Sequence, residues 1–184
     1  MFKRVLIANR GEIALRISRA LRELGVEVCI VHGREDRLSL PVRFSDYAIP
    51  IYRTNPLDSY LDFEAVIQAA KDVGAEAIHP GYGFLAENAN FVRRCEEEGI
   101  TFIGPSADVI SLLGDKIEAR KAMEAAGLPV ARGSDEAIDD PNVARQLAED
   151  IGYPVIIKAA AGGGGIGMQI VHGEDEFESA LSLC

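Results

Sequence analysis

Apolar positions along the chain follow two alternating patterns, a spacing of three to four residues and short continuous runs. The clearest helical spacing is that of Ile13, Ile17 and Leu21, which would share one face of a helix. This segment lies between two apolar runs, at residues 3–8 and 26–31. The sequence therefore predicts a β-α-β unit at the start of the chain.

Helix, glycine and apolar run then follow one another in the same order five times. The glycines concerned are Gly25, Gly74, Gly99, Gly127 and Gly152. Glycine just past a helix end can take the left-handed conformation that closes the last turn, so each predicts a helix-to-strand junction. The predicted strands are residues 26–31, 75–79, 100–103, 128–131 and 153–158, and further predicted helices are residues 63–73, 88–98, 107–113, 116–126 and 141–151. Such a series is typical of an α/β protein with a largely parallel sheet, which binds ligands beyond the carboxyl ends of its strands.

The composition is typical of a globular protein and argues against some classes of partner. Of 184 residues, 48% are hydrophobic and 26% are charged, and the formal net charge is −10. A general nucleic-acid binder needs an excess of Lys and Arg, so we expect no nucleic-acid partner. No apolar run approaches the ~20 residues of a membrane span, so we expect no membrane partner. Three widely separated cysteines without zinc or disulfide spacing predict a reduced, cytoplasmic protein.

A cluster of glycines is the strongest chemical signal. Five of the 18 glycines fall within residues 162–167, between strand patterns at residues 153–158 and 168–171. Successive amides in such a loop can bind phosphate oxygens, and Lys158 on the incoming strand would add a cation. Neither a Rossmann turn nor a Walker A loop fits, because a strand pattern follows the glycines and the lysine precedes them. A flap over nucleotide phosphates fits better, with a flexible linker as the alternative.

Two other segments contain residues suited to a binding site, but each also has an ordinary structural interpretation. Lys116 follows Asp115 at a predicted helix start, where the helix dipole disfavours a cation. A bound anion would offset that cost, and a solvated surface lysine is the alternative. Residues 79–88 follow a predicted strand and contain His, Tyr, Glu and Asn. Glu87 could act there as an acid or a base, or the segment could be a turn in which Asn88 caps the next helix.

Single residues elsewhere carry weaker signals. Residues 9–12 close the first predicted strand, but a phosphate-binding turn would want more glycine there. We expect Arg10 to form a structural ion pair. His32 and His172 have no ligand spacing, and the sequence predicts no metal site.

Together these segments resemble the biotin carboxylase family. The likeness is carried, in that family's order and spacing, by residues 5–14, 77–89, 102–105, 114–116 and 153–168. The resemblance implies an α/β fold with a Rossmann-like pre-ATP-grasp domain and a parallel sheet, followed by an incomplete ATP-grasp domain. The implied boundaries are residues 1–114 for the first domain, residues 115–129 for a linker helix and residues 130–184 for the truncated second domain.

The resemblance also implies a reaction. The family uses MgATP to activate bicarbonate as carboxyphosphate and then carboxylates biotin on a carrier protein. By match, the ATP-binding residues would be Lys116, Lys158, Gly162, Gly163, Gly164, Gly165, Gly167 and Met168. Met168 would border the adenine pocket. The match assigns no catalytic residue, and Glu87 is kept only as a candidate pocket residue.

The resemblance also implies partner proteins, and the chain differs from the family in two respects. The resemblance implies a biotin carboxyl carrier protein, a carboxyltransferase subunit, and a homodimer formed through the first helix by Arg19 and Glu23. Residues 164–168 look like those of separate-subunit pyruvate carboxylases, although acetyl-CoA carboxylase is also a parent to consider. Many members have a basic residue where this chain has Ile166. The family's carboxylates for Mg²⁺ would lie beyond Cys184, so we expect residues 1–184 alone to be inactive.

Two other functions stay open. One is another acyl-phosphate-forming ATP-grasp ligase, similar to carbamoyl-phosphate synthetase, although residues 8–14 and 79–88 argue against it. The other is a non-catalytic module that docks the carrier protein or oligomerises.

Overall fold

A computed structural model describes residues 1–159 and 167–184 of the chain. The chain divides into two compact units, Met1–Ser111 and Leu112–Cys184.

The first unit is built on one parallel sheet of five strands in the order β3-β2-β1-β4-β5. The strands are β1 (Arg4–Ile7), β2 (Glu27–His32), β3 (Tyr47–Pro50), β4 (Ala77–His79) and β5 (Thr101–Phe102). The helices are α1 (Gly11–Glu23), α2 (Leu40–Phe44), α3 (Asp58–Leu61), α4 (Phe63–Val73), α5 (Ala89–Glu97) and α6 (Ala107–Gly114), which runs past residue 111. Strands β2 and β3 lie on one side of β1, and β4 and β5 lie on the other, so the strand order reverses between β1 and β4. The parallel α/β fold predicted from the sequence is confirmed.

Helices cover both faces of this sheet, which is why its strands are continuous apolar runs. Side chains of β1 alternate between the faces: Val5 and Ile7 pack with α1, and Leu6 packs with α4 and α5. All three are completely buried. This double packing holds the carboxyl ends of β1 and β4 on a rigid base.

The five glycines predicted to end helices all have positive φ angles. The φ angles of Gly25, Gly74, Gly99, Gly127 and Gly152 are +71°, +64°, +68°, +78° and +91°. A side chain in this region would be strained, so glycine closes each helix at low cost. Four of the five junctions lead into a strand, as predicted.

The junction after Gly127 does not lead into a strand, and the strand predicted at residues 128–131 is wrong. The structure assigns no strand there. Pro129 has no N–H to donate to a neighbouring strand, and the Leu128 side chain is exposed instead of packing in a core. An apolar run alone therefore did not suffice to form a strand.

The segment between β2 and α4 was not predicted from the sequence. It contains α2, β3 and α3, which are only four or five residues long. Among the strands that the structure describes, β3 is at the sheet edge and pairs with β2 alone, and Tyr47, Ala48 and Pro50 are exposed. An edge strand needs no buried pattern, so its sequence carries little signal.

The second unit contains helices and a two-stranded antiparallel hairpin. Its elements are α7 (Lys116–Ala125), α8 (Pro141–Ile151), β6 (Val155–Lys158), β7 (Met168–Val171) and α9 (Glu174–Ser182). Val171 of the hairpin is buried with Ala148 of α8 and with Phe177 and Ala180 of α9. One face of the hairpin thus forms the core of this unit.

Candidate functional site

The turn after β4 is attached to the end of β1 by one buried side chain. Asn9 follows β1 directly and is 2% exposed. Its Nδ2 donates hydrogen bonds to the carbonyl oxygens of Pro80 at 2.7 Å and Tyr82 at 2.8 Å. Its Oδ1 accepts a hydrogen bond of 2.8 Å from the backbone N of Arg10. The side-chain amide therefore connects the two loops that flank the point where the strand order reverses.

The imidazole of His79 supports the same turn from the last position of β4. Its Nδ1 lies 3.0 Å from the backbone N of Gly81 and accepts that hydrogen bond. Nδ1 can accept only when it carries no proton, so this contact requires the neutral imidazole. Burial lowers the pKa of His79, which favours the same neutral form.

Tyr82 presents an exposed ring from this turn. Its side chain is 62% exposed, and its hydroxyl donates a hydrogen bond to Oε1 of Glu12 in the first turn of α1. That acidic acceptor raises the pKa of the Tyr82 hydroxyl, which stays protonated. Asn9 therefore holds the backbone of Tyr82, and Glu12 holds its hydroxyl.

The ion pair expected for Arg10 is present. Its Nε and Nη2 bind the two carboxylate oxygens of Asp36 at 2.6 and 2.8 Å. Arg10, followed by the Tyr60 hydroxyl, lowers the pKa of Asp36. The pair attaches the loop after β2 to the end of β1, which supports a structural role for Arg10.

The segment that contains Glu87 shows the helix cap predicted for Asn88. Asn88 caps α5, because its Oδ1 accepts a hydrogen bond of 3.1 Å from the backbone N of Phe91. Glu87 is exposed and lines an open, largely polar surface pocket with Asn88 and Arg93. The cap confirms the structural interpretation of Asn88, and a chemical role of Glu87 stays a prediction.

The hairpin of the second unit has one buried and one open face. Lys158 pairs with Met168, and Ile156 pairs with Ile170, across the two strands. These four side chains lie on the same face and all are exposed. Ile156, Met168 and Ile170 are 51%, 42% and 60% exposed, a large apolar area for a sheet face.

The other predicted ATP-binding residues divide into described and undescribed ones. Gly162, Gly163, Gly164 and Gly165, together with Ile166, lie outside the described residues. Gly167 is described: its carbonyl oxygen accepts a hydrogen bond of 2.7 Å from the backbone N of Ala159, next to β6, and its φ is +70°. Lys116 begins α7, which Asp115 caps by accepting hydrogen bonds from two backbone N–H groups. The structure thus brings Lys158 and Met168 together and places Lys116 on a separate helix of the same unit.

Sequence reasoning missed two contacts, that of Asn9 with the turn after β4 and that of Glu12 with Tyr82. The available signal was an asparagine directly after a buried strand, beside a turn with two glycines. Sequence spacing could not show the contact, because 71 residues separate Asn9 from Pro80.

The described part of the chain lacks two kinds of feature. Within residues 1–159 and 167–184, no three His, Cys, Asp or Glu side chains come together as a metal-binding group. None of the helices there combines the length and apolar character needed to cross a bilayer.

Two family descriptions match the chain, one over each unit. "Biotin carboxylase, N-terminal domain" matches residues 1–110. "Carbamoyl-phosphate synthase L chain, ATP binding domain" matches residues 115–184.

Curated relatives are similar over the whole chain. A pyruvate carboxylase subunit of Methanothermobacter thermautotrophicus is 50% identical over 98% of this chain and 37% of its own length. The biotin carboxylase of Pseudomonas aeruginosa is 50% identical over 100% of this chain and 41% of its own length. The chain therefore spans about two fifths of the relatives it matches.

A solved structure shares the fold. The biotin carboxylase domain dimer of Hydrogenobacter thermophilus 2-oxoglutarate carboxylase, in complex with MgADP, ADP and bicarbonate, has a TM-score of 0.92 and 49% identity. The similarity covers 99% of this chain and 41% of that one. At this identity the likeness extends beyond the fold to the sequence itself.

Proposed function

The chain belongs to the biotin carboxylase family, and we propose that it forms the N-terminal part of an ATP-dependent biotin carboxylase. The complete protein would convert ATP, bicarbonate and carrier-bound biotin into carboxybiotin, ADP and phosphate. Its residues 1–184 would supply a pre-ATP-grasp domain (residues 1–114), a linker helix (residues 115–129) and the first part of the ATP-grasp domain (residues 130–184).

One observation carries this proposal, the open face of the β6–β7 hairpin. It combines three exposed apolar side chains with the ammonium group of Lys158. A nucleotide has the complementary chemistry, an apolar base next to an anionic phosphate chain. Met168 and its apolar neighbours would contact the base, and Lys158 would bind phosphate oxygens as a point charge. The related 2-oxoglutarate carboxylase domain, solved with MgADP, supports this assignment.

The remaining nucleotide contacts are proposed from the sequence match. Lys116 would add a second cation at the phosphates. Backbone amides of the glycine cluster, Gly162–Gly165 with Gly167, would bind phosphate oxygens. Local cations and amides are required here because residues 56–184 carry nine basic and 23 acidic side chains.

Magnesium would accompany ATP, but we assign none of its ligands to this chain. The described residues offer no group of three acidic, His or Cys side chains that could hold the ion.

The partners belong to the same proposal. A biotin carboxyl carrier protein would present biotin, and a carboxyltransferase subunit would take the carboxyl group onward. Arg19 and Glu23 of α1 are both exposed, which suits the proposed homodimer contact. We further propose a cytoplasmic location, which agrees with free thiols at Cys29 and Cys95 in the core.

Pyruvate is the acceptor that we propose for the complete system. Residues 164–168 support it, as does the 50% identity to a subunit of pyruvate carboxylase. A 2-oxoglutarate carboxylase small subunit of Hydrogenobacter thermophilus is 51% identical over 96% of this chain and 37% of its own length. The carboxyltransferase partner would decide the acceptor, so the acceptor has to be tested with that partner and not with this chain.

The deciding experiment measures ATP cleavage by the complete protein that contains this chain. We expect cleavage that depends on bicarbonate and rises when free biotin is added. Cleavage stimulated by ammonia and indifferent to biotin would favour a carbamoyl-phosphate synthetase-like ligase. Carrier binding without any ATP cleavage would favour a docking module. Residues 1–184 alone should show no turnover, and robust turnover would contradict the proposed division of the site.

A further inference from the structure

We propose that Asn9 is a positioning residue for the proposed carboxylation. It would hold residues 80–82, here called the 80–82 loop, in the shape that the reaction requires. This inference rests on the proposed function, and it adds a residue that neither the sequence match nor the family resemblance assigned to the site.

The location of the contact is the first argument. Ligands of doubly wound sheets bind outside the carboxyl ends of the strands, at the point where the strand order reverses. In this sheet that point lies between β1 and β4. Asn9 follows β1, and the 80–82 loop follows β4. Asn9 therefore attaches one wall of the expected crevice to the other.

The chemistry of the contact specifies an amide. Nδ2 of Asn9 donates to two backbone carbonyls, of Pro80 and Tyr82, while Oδ1 accepts from a backbone N–H. An ionised Asp has the same shape but no donor, and it would place a carboxylate against those two carbonyls. At 2% exposure, water could not easily replace the lost donors.

The fit between Asn9 and Gly81 is the third argument. A Cβ added at Gly81 would lie 2.7 Å from Nδ2 of Asn9, closer than real Cβ atoms approach. Gly83 offers a comparison two residues later. The φ angles of Gly81 and Gly83 are +66° and +67°, and a Cβ at Gly83 would meet nothing within 4 Å. Glycine at position 81 is thus required by Asn9 as well as by the backbone.

The first test replaces Asn9 in the complete protein. Asn9→Asp should lower kcat of biotin-dependent ATP cleavage at least tenfold. The KM for ATP should stay within twofold, because the residues assigned to ATP belong to the other unit. Asn142→Asp, an exposed residue of α8, is the matched control and should leave both parameters unchanged. An unchanged kcat, or a KM for ATP that rises in parallel with the loss of kcat, would overturn the positioning role.

The second test uses the glycine pair and does not depend on the folding of the Asn9 variant. Gly81→Ala and Gly83→Ala carry the same backbone cost, but only the first displaces Asn9. We expect the kcat loss of Gly81→Ala to exceed that of Gly83→Ala by at least fivefold. Equal losses would show that backbone strain, and not Asn9, matters.

A third measurement separates this inference from the proposed function. Hydrogen exchange of peptides spanning residues 78–86 should be faster in Asn9→Asp than in the wild-type protein and unchanged in Asn142→Asp. Unchanged exchange in Asn9→Asp would overturn the positioning role whatever the activity. A wild-type protein without bicarbonate-dependent ATP cleavage would overturn the proposed function, whether or not exchange responds.

Discussion

The Tyr60 hydroxyl donates a hydrogen bond of 2.6 Å to Oδ2 of Asp36 and connects α3 to the loop after β2. The same hydroxyl accepts a hydrogen bond of 3.0 Å from the backbone N of Gly33. Asp36 is in turn paired with Arg10 at the end of β1. Three segments of the first unit are therefore joined through Tyr60 and Asp36, which has consequences for stability.

Tyr60→Phe should lower the free energy of unfolding by about 1–3 kcal/mol, because it leaves the N–H of Gly33 and one oxygen of Asp36 without this partner. Tyr60 is 2% exposed, so water would not easily replace the hydroxyl. Urea denaturation measures the change. Tyr52→Phe is the matched control: Tyr52 is 43% exposed, and Phe keeps its ring contacts with His32 and Arg34. A control loss equal to that of Tyr60→Phe would contradict the role of the buried hydroxyl.

Stability should fall as the pH drops below about 6.5, the usual pKa of a free imidazole, because of His79. Burial lowers the pKa of His79 in the folded protein, so the unfolded chain takes up its proton first. The free energy of unfolding therefore decreases between pH 6.5 and the folded pKa, and His79 has no such effect at higher pH. Asp36, whose pKa is lowered, adds a separate loss only at more acidic pH.

The measurement compares unfolding free energies at pH 7, 6 and 5 in wild-type protein and in His79→Asn. Asn keeps an oxygen that can accept from Gly81 but does not titrate, so its curve should be flatter. NMR titration of the His79 imidazole provides a direct check. A midpoint above 6.5 would contradict the explanation.

Lys158→Ala in the complete protein should weaken ATP binding by about 1.5–3 kcal/mol, the range for a hydrogen bond to a charged group. Isothermal titration calorimetry gives the affinity directly. Lys158→Arg keeps the charge and should lose less. Lys121→Ala removes an exposed lysine that pairs with Glu118 and should leave ATP affinity unchanged. Unchanged affinity in Lys158→Ala would remove this residue from the proposed nucleotide site.

Gly74→Ala should destabilise the first unit by about 1 kcal/mol, because Ala is strained in the left-handed conformation that ends α4. Steric contact adds little: a Cβ at position 74 would lie 3.7 Å from Nη1 of Arg4, an ordinary distance. Gly74→Asn tolerates this conformation better and should lose about half as much. Thermal unfolding of both variants tests the prediction, and a larger loss in Gly74→Asn would be the contrary result.

Sequence reasoning succeeded where neighbouring residues decide the structure. Gly25 and Gly74 close helices because each segment carries its own capping signal. Helices α4 and α8 begin and end where the apolar spacing predicted, at Phe63–Val73 and Pro141–Ile151. The failed strand at residues 128–131 shows the limit, since an apolar run becomes a strand only if a partner strand accepts its hydrogen bonds.

The parallel α/β fold of the first unit, the five glycines that close helices in the two units and the family of the chain could all be read from the sequence alone. Periodicity and capping act within about ten residues, so they can be read along the chain. The contacts of Asn9 with the 80–82 loop and of Tyr82 with Glu12 form only when the chain is folded. These contacts join segments about 70 residues apart, because parallel strands bring their carboxyl ends to one edge of the sheet whatever their distance in sequence.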